Sequence, residues 1–367
     1  MTLENLDPVK LQVAVELAGA QWQAGVTSLS QLSDMEKRMR LGYEPAGNEL
    51  SLEQREQSSR INLEVFKSAA VKGEAYGYPT AYDLRSGGFV TPIKNQGSCG
   101  SCVSFGTVAT VESTLRMIRN NPGLAIDLSE AQLFYCYARA QGRTCGNGWW
   151  MQPAMDACKT GLADEACYPY TAADQNCSNL CSDWQNRAVK ISGWHEITST
   201  ADMKTWLSTR GSLAACFTVY NDFFSYSGGI YRHVSGAVAG GHCISVVGYN
   251  DTEGYWICKN SWGTGWGESG FFRIAYGECG LDATMWAVDG IVETGWLNNV
   301  KILGLWTNDA DRNAYVYVSD GIGWRRIAFD TDNVFFNMLV QLATAKAGDR
   351  PTNLYQENGV IKQIYVF

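Results

Sequence analysis

Eight of the chain's twelve cysteines fall between Cys99 and Cys181, in loop-like sequence rich in Gly, Asn and aromatic residues. Segments of this kind build little core of their own and are held by covalent staples. A cysteine load of this size points to folding in an oxidising compartment, so export is expected. The opening residues, MTLENLDPVK, lack the basic start and continuous apolar stretch of a secretory signal. The two observations pull apart, and the compartment stays open.

At 367 residues with 46% apolar content the chain is long enough for two or three units and at least one substantial core. A formal charge of -8 without a long Lys/Arg run lacks the electrostatic footprint of a nucleic-acid binder. Proteins or peptides are the expected partners. No stretch approaches the roughly 18 uninterrupted apolar residues of a membrane span, so no membrane partner is expected.

Three textures follow one another. Residues 1–78 are polar and Glu/Lys-rich, with helical apolar spacing at Leu11, Val15, Ala18 and Trp22 and again over 63–71. A helical appendage is predicted there. From Pro79 to about residue 295 the chain turns to short segments rich in Gly, Trp, Tyr and Cys. Within it, 101–118 reads as one helix with apolar positions Val108, Val111, Leu115 and Ile118, stopped by Asn120, Asn121, Pro122 and Gly123. The later half reads as strands at 213–219, 243–249, 255–259 and 270–274. Residues 296–367 form a third pattern: strands at 301–306 and 314–318, a turn at Asp320-Gly321, a strand at 324–329, a helix at 332–346 and a closing strand from Val360. This reads as a small α+β module of its own.

A thiol is a good nucleophile only as thiolate, and its pKa falls at a helix N-terminus beside an imidazolium. Gly100-Ser-Cys102 leads directly into the predicted helix, so unpaired backbone N–H groups point at the sulfur. The chain has three histidines. His195 and His233 lie in polar or loop sequence and read as surface or structural residues. His242 follows Gly240-Gly241 and enters a predicted strand, which makes it the base. An imidazole that must hold one tautomer needs a partner on its other nitrogen, and Asn260, at the end of the 255–259 strand, supplies one. Trp262 is placed to cover that contact. Gln96 and the Cys102 N–H are the donors for a developing oxyanion.

Gln96-Gly-Ser-Cys-Gly-Ser-Cys102, Gly241-His242 and Asn260-Ser-Trp-Gly-Thr-Gly-Trp-Gly resemble the papain and cathepsin family over roughly residues 79–290. The resemblance implies an α+β, two-lobed papain-like fold, a helical lobe and a β-barrel-like lobe. It implies a cysteine endopeptidase acting on peptides or proteins without metal or cofactor, preceded by a propeptide-like segment (1–78) that inhibits it in the same molecule. Residues 79–295 are then the catalytic domain and 296–367 an accessory module, either a packing extension or a binding unit. By the same resemblance Cys145-Gly-Asn-Gly-Trp-Trp150 is the substrate-backbone loop, with Gly148 pairing to the peptide and Trp149 and Trp150 walling the S2 pocket. Leu213-Ala-Ala-Cys216 puts Cys216 at the pocket floor. Cys99 is expected to bridge Cys145, and Cys136 to bridge Cys177 or Cys181; Cys158, Cys167 and Cys279 are unassigned.

Some features depart from the family. Val103 stands where an aromatic residue usually follows the nucleophile, and Gly241 where many plant members have Asp. The N-terminal segment lacks the common long-helix propeptide pattern, so its role rests on position and on the start-like run Pro79-Thr-Ala-Tyr-Asp-Leu-Arg. Cys216, Cys243 and Cys258 lie in apolar runs and read as small core residues. A zinc site using Cys99, Cys102, Cys177 and Cys181 leaves His242 and the Asn260 motif without a role. A thioredoxin-like reading of Cys99-x-x-Cys102 lacks its βαβ context. A non-catalytic relative that only binds peptides is the remaining rival; its mark, loss of Cys, His, Asn or Gln, is missing.

Overall fold

The computed structural model describes residues 6–71, 77–292, 295–319, 322–357 and 359–367. Contacts divide the chain into two compact units, residues 1–118 with 122–290, and residues 119–121 with 291–367.

The first unit is built on the helix Cys102–Ile118 and a nine-stranded sheet. In order across the sheet lie Gln21–Ala24, Tyr226–Tyr231, Phe271–Ala275, Tyr255–Lys259, Val238–Asn250, Leu213–Tyr220, Met285–Val292 and Lys190–Ile197, while Ala81–Asp83 pairs with Val238–Asn250. The sheet is open, not a closed ring, because its first and last strands do not pair. The central strand Val238–Asn250 is longer than the apolar run predicts, and residues 241–249 are buried on both faces. One face meets the Cys102–Ile118 helix, where Gly106 lies so close to the Ile244 backbone that a Cβ would clash. That helix is buried almost all round, as expected of one inside a core. Asn120, in the left-handed region at φ 44°, follows its end.

The N-terminal segment is only partly helical. The helix Pro8–Leu17 begins with an Asp7 cap and stops where Gly19 turns left-handed. Trp22 therefore lies on the strand Gln21–Ala24, not on the predicted helix, and pairs antiparallel with Tyr226–Tyr231. Its buried indole packs on the rings of Tyr226 and Tyr231. Two more helices follow, Asp34–Arg38 with a Ser33/Glu36 capping box and the long Leu52–Val71.

The second unit has a six-stranded sheet in the order Gly295–Val300, Thr352–Glu357, Val360–Val366, Gly323–Ile327, Ala314–Val318 and Ile302–Thr307. The helix Asp332–Ala347 seals one face through Phe335, Leu342 and Ala345. The predicted Asp320-Gly321 turn lies outside the described residues. Thr352–Glu357 escaped the sequence reading because its buried positions, Thr352, Leu354 and Gln356, alternate but are mostly polar.

Four disulfides join Cys99 to Cys145, Cys136 to Cys177, Cys167 to Cys181, and Cys216 to Cys243. Cys181 thus pairs with Cys167, not with Cys136. Cys216 and Cys243 are not separate core thiols; they sit opposite each other on neighbouring strands, a register the sequence does not reveal. Cys99 and Cys177 are each bonded to another cysteine, which excludes the zinc set. Among the described residues Cys102, Cys158, Cys258 and Cys279 are free and buried, and no helix is long and apolar enough to cross a membrane.

Candidate active site

Cys102 is the first residue of its helix and is fully buried. Its sulfur accepts a hydrogen bond from the backbone N–H of Gly42 at 3.2 Å. Burial pushes the Cys102 thiol up to about 11, against the pull of backbone N–H donors.

His242 Nε2 lies 2.8 Å from Asn260 Oδ1, which also accepts the backbone N–H of Ser261 at 2.8 Å. An amide oxygen only accepts, so Nε2 carries the proton and Nδ1 keeps its lone pair for base chemistry. Trp262 covers the ring at 4.6 Å between centroids and is itself anchored among Phe223, Phe224 and Trp266. Burial lowers the imidazole to about 4, opposed by the Asn260 hydrogen bond and the Arg40 backbone. His195 and His233 stand elsewhere, beside Asp289 and Asp222.

Gln96 is fully buried and fixed in orientation. Its Oε1 accepts from the Ser261 hydroxyl at 2.7 Å, which turns the amide nitrogen toward Cys99 O at 2.8 Å and Arg40 O at 3.2 Å. Arg40 and Gly42 belong to the N-terminal segment, so that segment reaches both the amide and the sulfur. It runs on through the same cleft. Trp149 N–H donates to Gly42 O at 2.7 Å, and Tyr43 N–H donates to Gly241 O at 3.1 Å. Gly42 is required there, because a Cβ would collide with the Gly100 backbone.

The predicted subsite residues divide. Gly241 meets the segment through its carbonyl. Gly148, left-handed at φ 61°, donates to Thr144 and leaves pairing to Trp149; its missing side chain makes room for the Gly42 carbonyl. Trp149 offers backbone only, since its indole is buried and bonds Gln141. Trp150 is half-buried under the Arg143 guanidinium. Cys216 lies beside the cleft, disulfide-bonded, with its carbonyl on the Arg55 guanidinium. Tyr43, Gly42 and Arg55 escaped the sequence reading. Nothing in an ordinary Leu-Gly-Tyr run marks it as cleft-binding.

Comparison with known proteins rests on the catalytic unit. The sequence model described as "Papain family cysteine protease" matches residues 78–288, more than half of the chain. The chain belongs to the papain family of cysteine proteases. Among its relatives is Cathepsin B-like CP3 of Giardia intestinalis, 36% identical over 220 residues that span 56% of this chain and 72% of the relative. A Cathepsin L-like proteinase of Fasciola hepatica is 36% identical over 203 residues, 54% of this chain and 60% of the relative. Among solved structures it is similar to digestive procathepsin L2 proteinase from Tenebrio molitor larval midgut, with a TM-score of 0.60 and 28% identity over 77% of this chain and 88% of that one. This papain-family chain is a cysteine endopeptidase in its zymogen form, with the α+β fold of the procathepsins. The reading as a peptide-binding relative without catalysis is not favoured.

Proposed function

We propose that Cys102, His242, Asn260 and Gln96 carry the hydrolysis of internal peptide bonds and that residues 1–78 block it by threading the cleft. The observation that supports this reading is that the segment reaches both Cys102 and Gln96, Gly42 N–H on the sulfur and Arg40 O on the amide, while His242 is held by Asn260. With the segment gone, His242 Nδ1 takes the thiol proton, and the thiolate at the helix N-terminus attacks the carbonyl. The Gln96 amide and the Cys102 N–H stabilise the oxyanion. The imidazolium returns its proton to the leaving amine, and water then releases the acyl group by the same route in reverse. Residues 79–295 are the catalytic domain in this reading, and 296–367 an accessory module with its own core. The four disulfides support assembly in an oxidising, exported setting.

Labelling with an epoxide-type thiol inhibitor tests the assignment. Processed protein is expected to be modified at Cys102 and to lose activity in step. A processed Cys102→Ala variant that still cleaves peptides rejects it.

A further inference from the structure

The segment's Leu52–Val71 helix carries a side chain that blocking the thiol does not require. Arg55 is 2% exposed, although arginine is among the residues least often buried. Its Nη2 donates to two backbone carbonyls of the catalytic domain, Cys216 at 2.7 Å and Thr284 at 3.1 Å. Its guanidinium lies 5.3 Å from the centre of the Trp286 indole and 5.8 Å from that of the Tyr43 ring. Burying a guanidinium is costly unless carbonyls, carboxylates and ring faces replace its water. A pocket that accepts one is therefore built for a cation.

Most of that pocket stays when the segment leaves. The two carbonyls and the Trp286 indole belong to the catalytic domain, as does Glu196, whose carboxylate accepts from Trp286 Nε1 at 3.2 Å and Gln152 Nε2 at 3.0 Å. Burial disfavours the charge on Arg55, and Tyr43, Glu49 and Glu196 oppose that effect. Of these three, Glu196 alone remains after processing. The pocket also opens on the cleft. Tyr43 bridges Trp149 and Gly241 by its backbone while its ring reaches the Arg55 guanidinium. A long side chain leaving the cleft along the path of the Tyr43 ring arrives where that guanidinium now sits.

We propose that this pocket is a substrate subsite selective for a basic side chain, arginine above lysine, and that Arg55 fills it as an internal stand-in until the segment is removed. The proposal rests on the peptidase reading above and names its substrate class. Arginine outranks lysine because its planar fork serves two carbonyls at once while stacking on the indole. Leucine displaces water from the carbonyls without replacing it, and glutamate meets two acceptors and a like charge.

The test uses the full chain, processed upstream of Pro79, on fluorogenic peptides that differ only in Arg, Lys, Leu or Glu at one position, taken in turn over the three residues before the cleaved bond. At one position kcat/KM is expected to favour Arg over Leu by about tenfold or more, with Lys between and Glu lowest. In Glu196→Gln the Arg:Leu ratio is expected to fall about threefold. Cleavage with no preference for Arg at any position overturns the proposal and leaves the peptidase reading intact. A preference that Glu196→Gln does not move belongs to another pocket and overturns this assignment. If no peptide is cleaved and the epoxide does not label Cys102, both readings fall.

Discussion

The backbone N–H of Gly42 points at the sulfur of Cys102 from 3.2 Å, so the N-terminal segment closes on the thiol proposed as the nucleophile and not on the rim of the cleft. Thiol and imidazole are both fully buried in this closed form, and burial favours the neutral form of each. The segment thus acts sterically and electrostatically together.

Thiol reactivity reads the electrostatic part. With the Cys102 thiol pushed up to about 11, the neutral form predominates at pH 7 and little thiolate is available. Iodoacetamide is expected to alkylate Cys102 at least a hundredfold more slowly in the full chain than after processing, as followed by peptide mapping. Cys158, Cys258 and Cys279, also buried and pushed up, are internal references. Equal rates before and after processing contradict the account.

Gln96→Ala is expected to lower kcat by roughly a hundredfold or more with the fold intact, the usual loss for an oxyanion donor. Circular dichroism and steady-state kinetics on the processed variant check both halves. An unchanged kcat removes Gln96 from the mechanism.

Gly42→Ala in the full chain drives a methyl into the Gly100 backbone and lifts the segment from the sulfur. Epoxide labelling of unprocessed Cys102 is expected to rise by roughly tenfold or more. If labelling stays at the wild-type level, the close approach at residue 42 does not hold the cleft shut.

Acid is expected to loosen the segment through His242. Burial in the closed form lowers the imidazole from its ordinary 6.5 to about 4, so this form binds fewer protons across that window than one in which the ring is solvated. Closure is then fully favoured above pH 6.5 and weakens by up to about tenfold per pH unit toward pH 4. Glu49 opposes this, because burial raises its carboxyl and the closed form holds its proton more tightly. Epoxide labelling of the unprocessed chain against pH is therefore expected to rise on acidification, and more steeply in Glu49→Gln. A flat profile in both refutes the His242 linkage.

What was legible in the sequence was local. The Cys102 helix, the strand that carries His242, the strand end before Asn260 and the helix Asp332–Ala347 each follow from a local pattern within a few residues, although the His242 strand begins earlier than that pattern shows. Trp22 misled because two apolar spacings were continued through Gly19, where the backbone turns left-handed and a strand begins. The Cys216–Cys243 bond was hidden because a cross-strand pair depends on register, which joins residues 27 apart in sequence.

By itself the chain determined which groups are chemically competent: a thiol at a helix start, a histidine with an amide partner, and a glutamine ahead of the thiol. Only the tertiary structure decided what those groups face. A carbonyl from Arg40, an N–H from Gly42 and a guanidinium from Arg55 arrive from a segment whose residues carry no local mark of their destination. The physical reason is that competence is a property of side-chain type and neighbouring backbone, whereas occupancy of a cleft is settled by packing between distant parts of the chain.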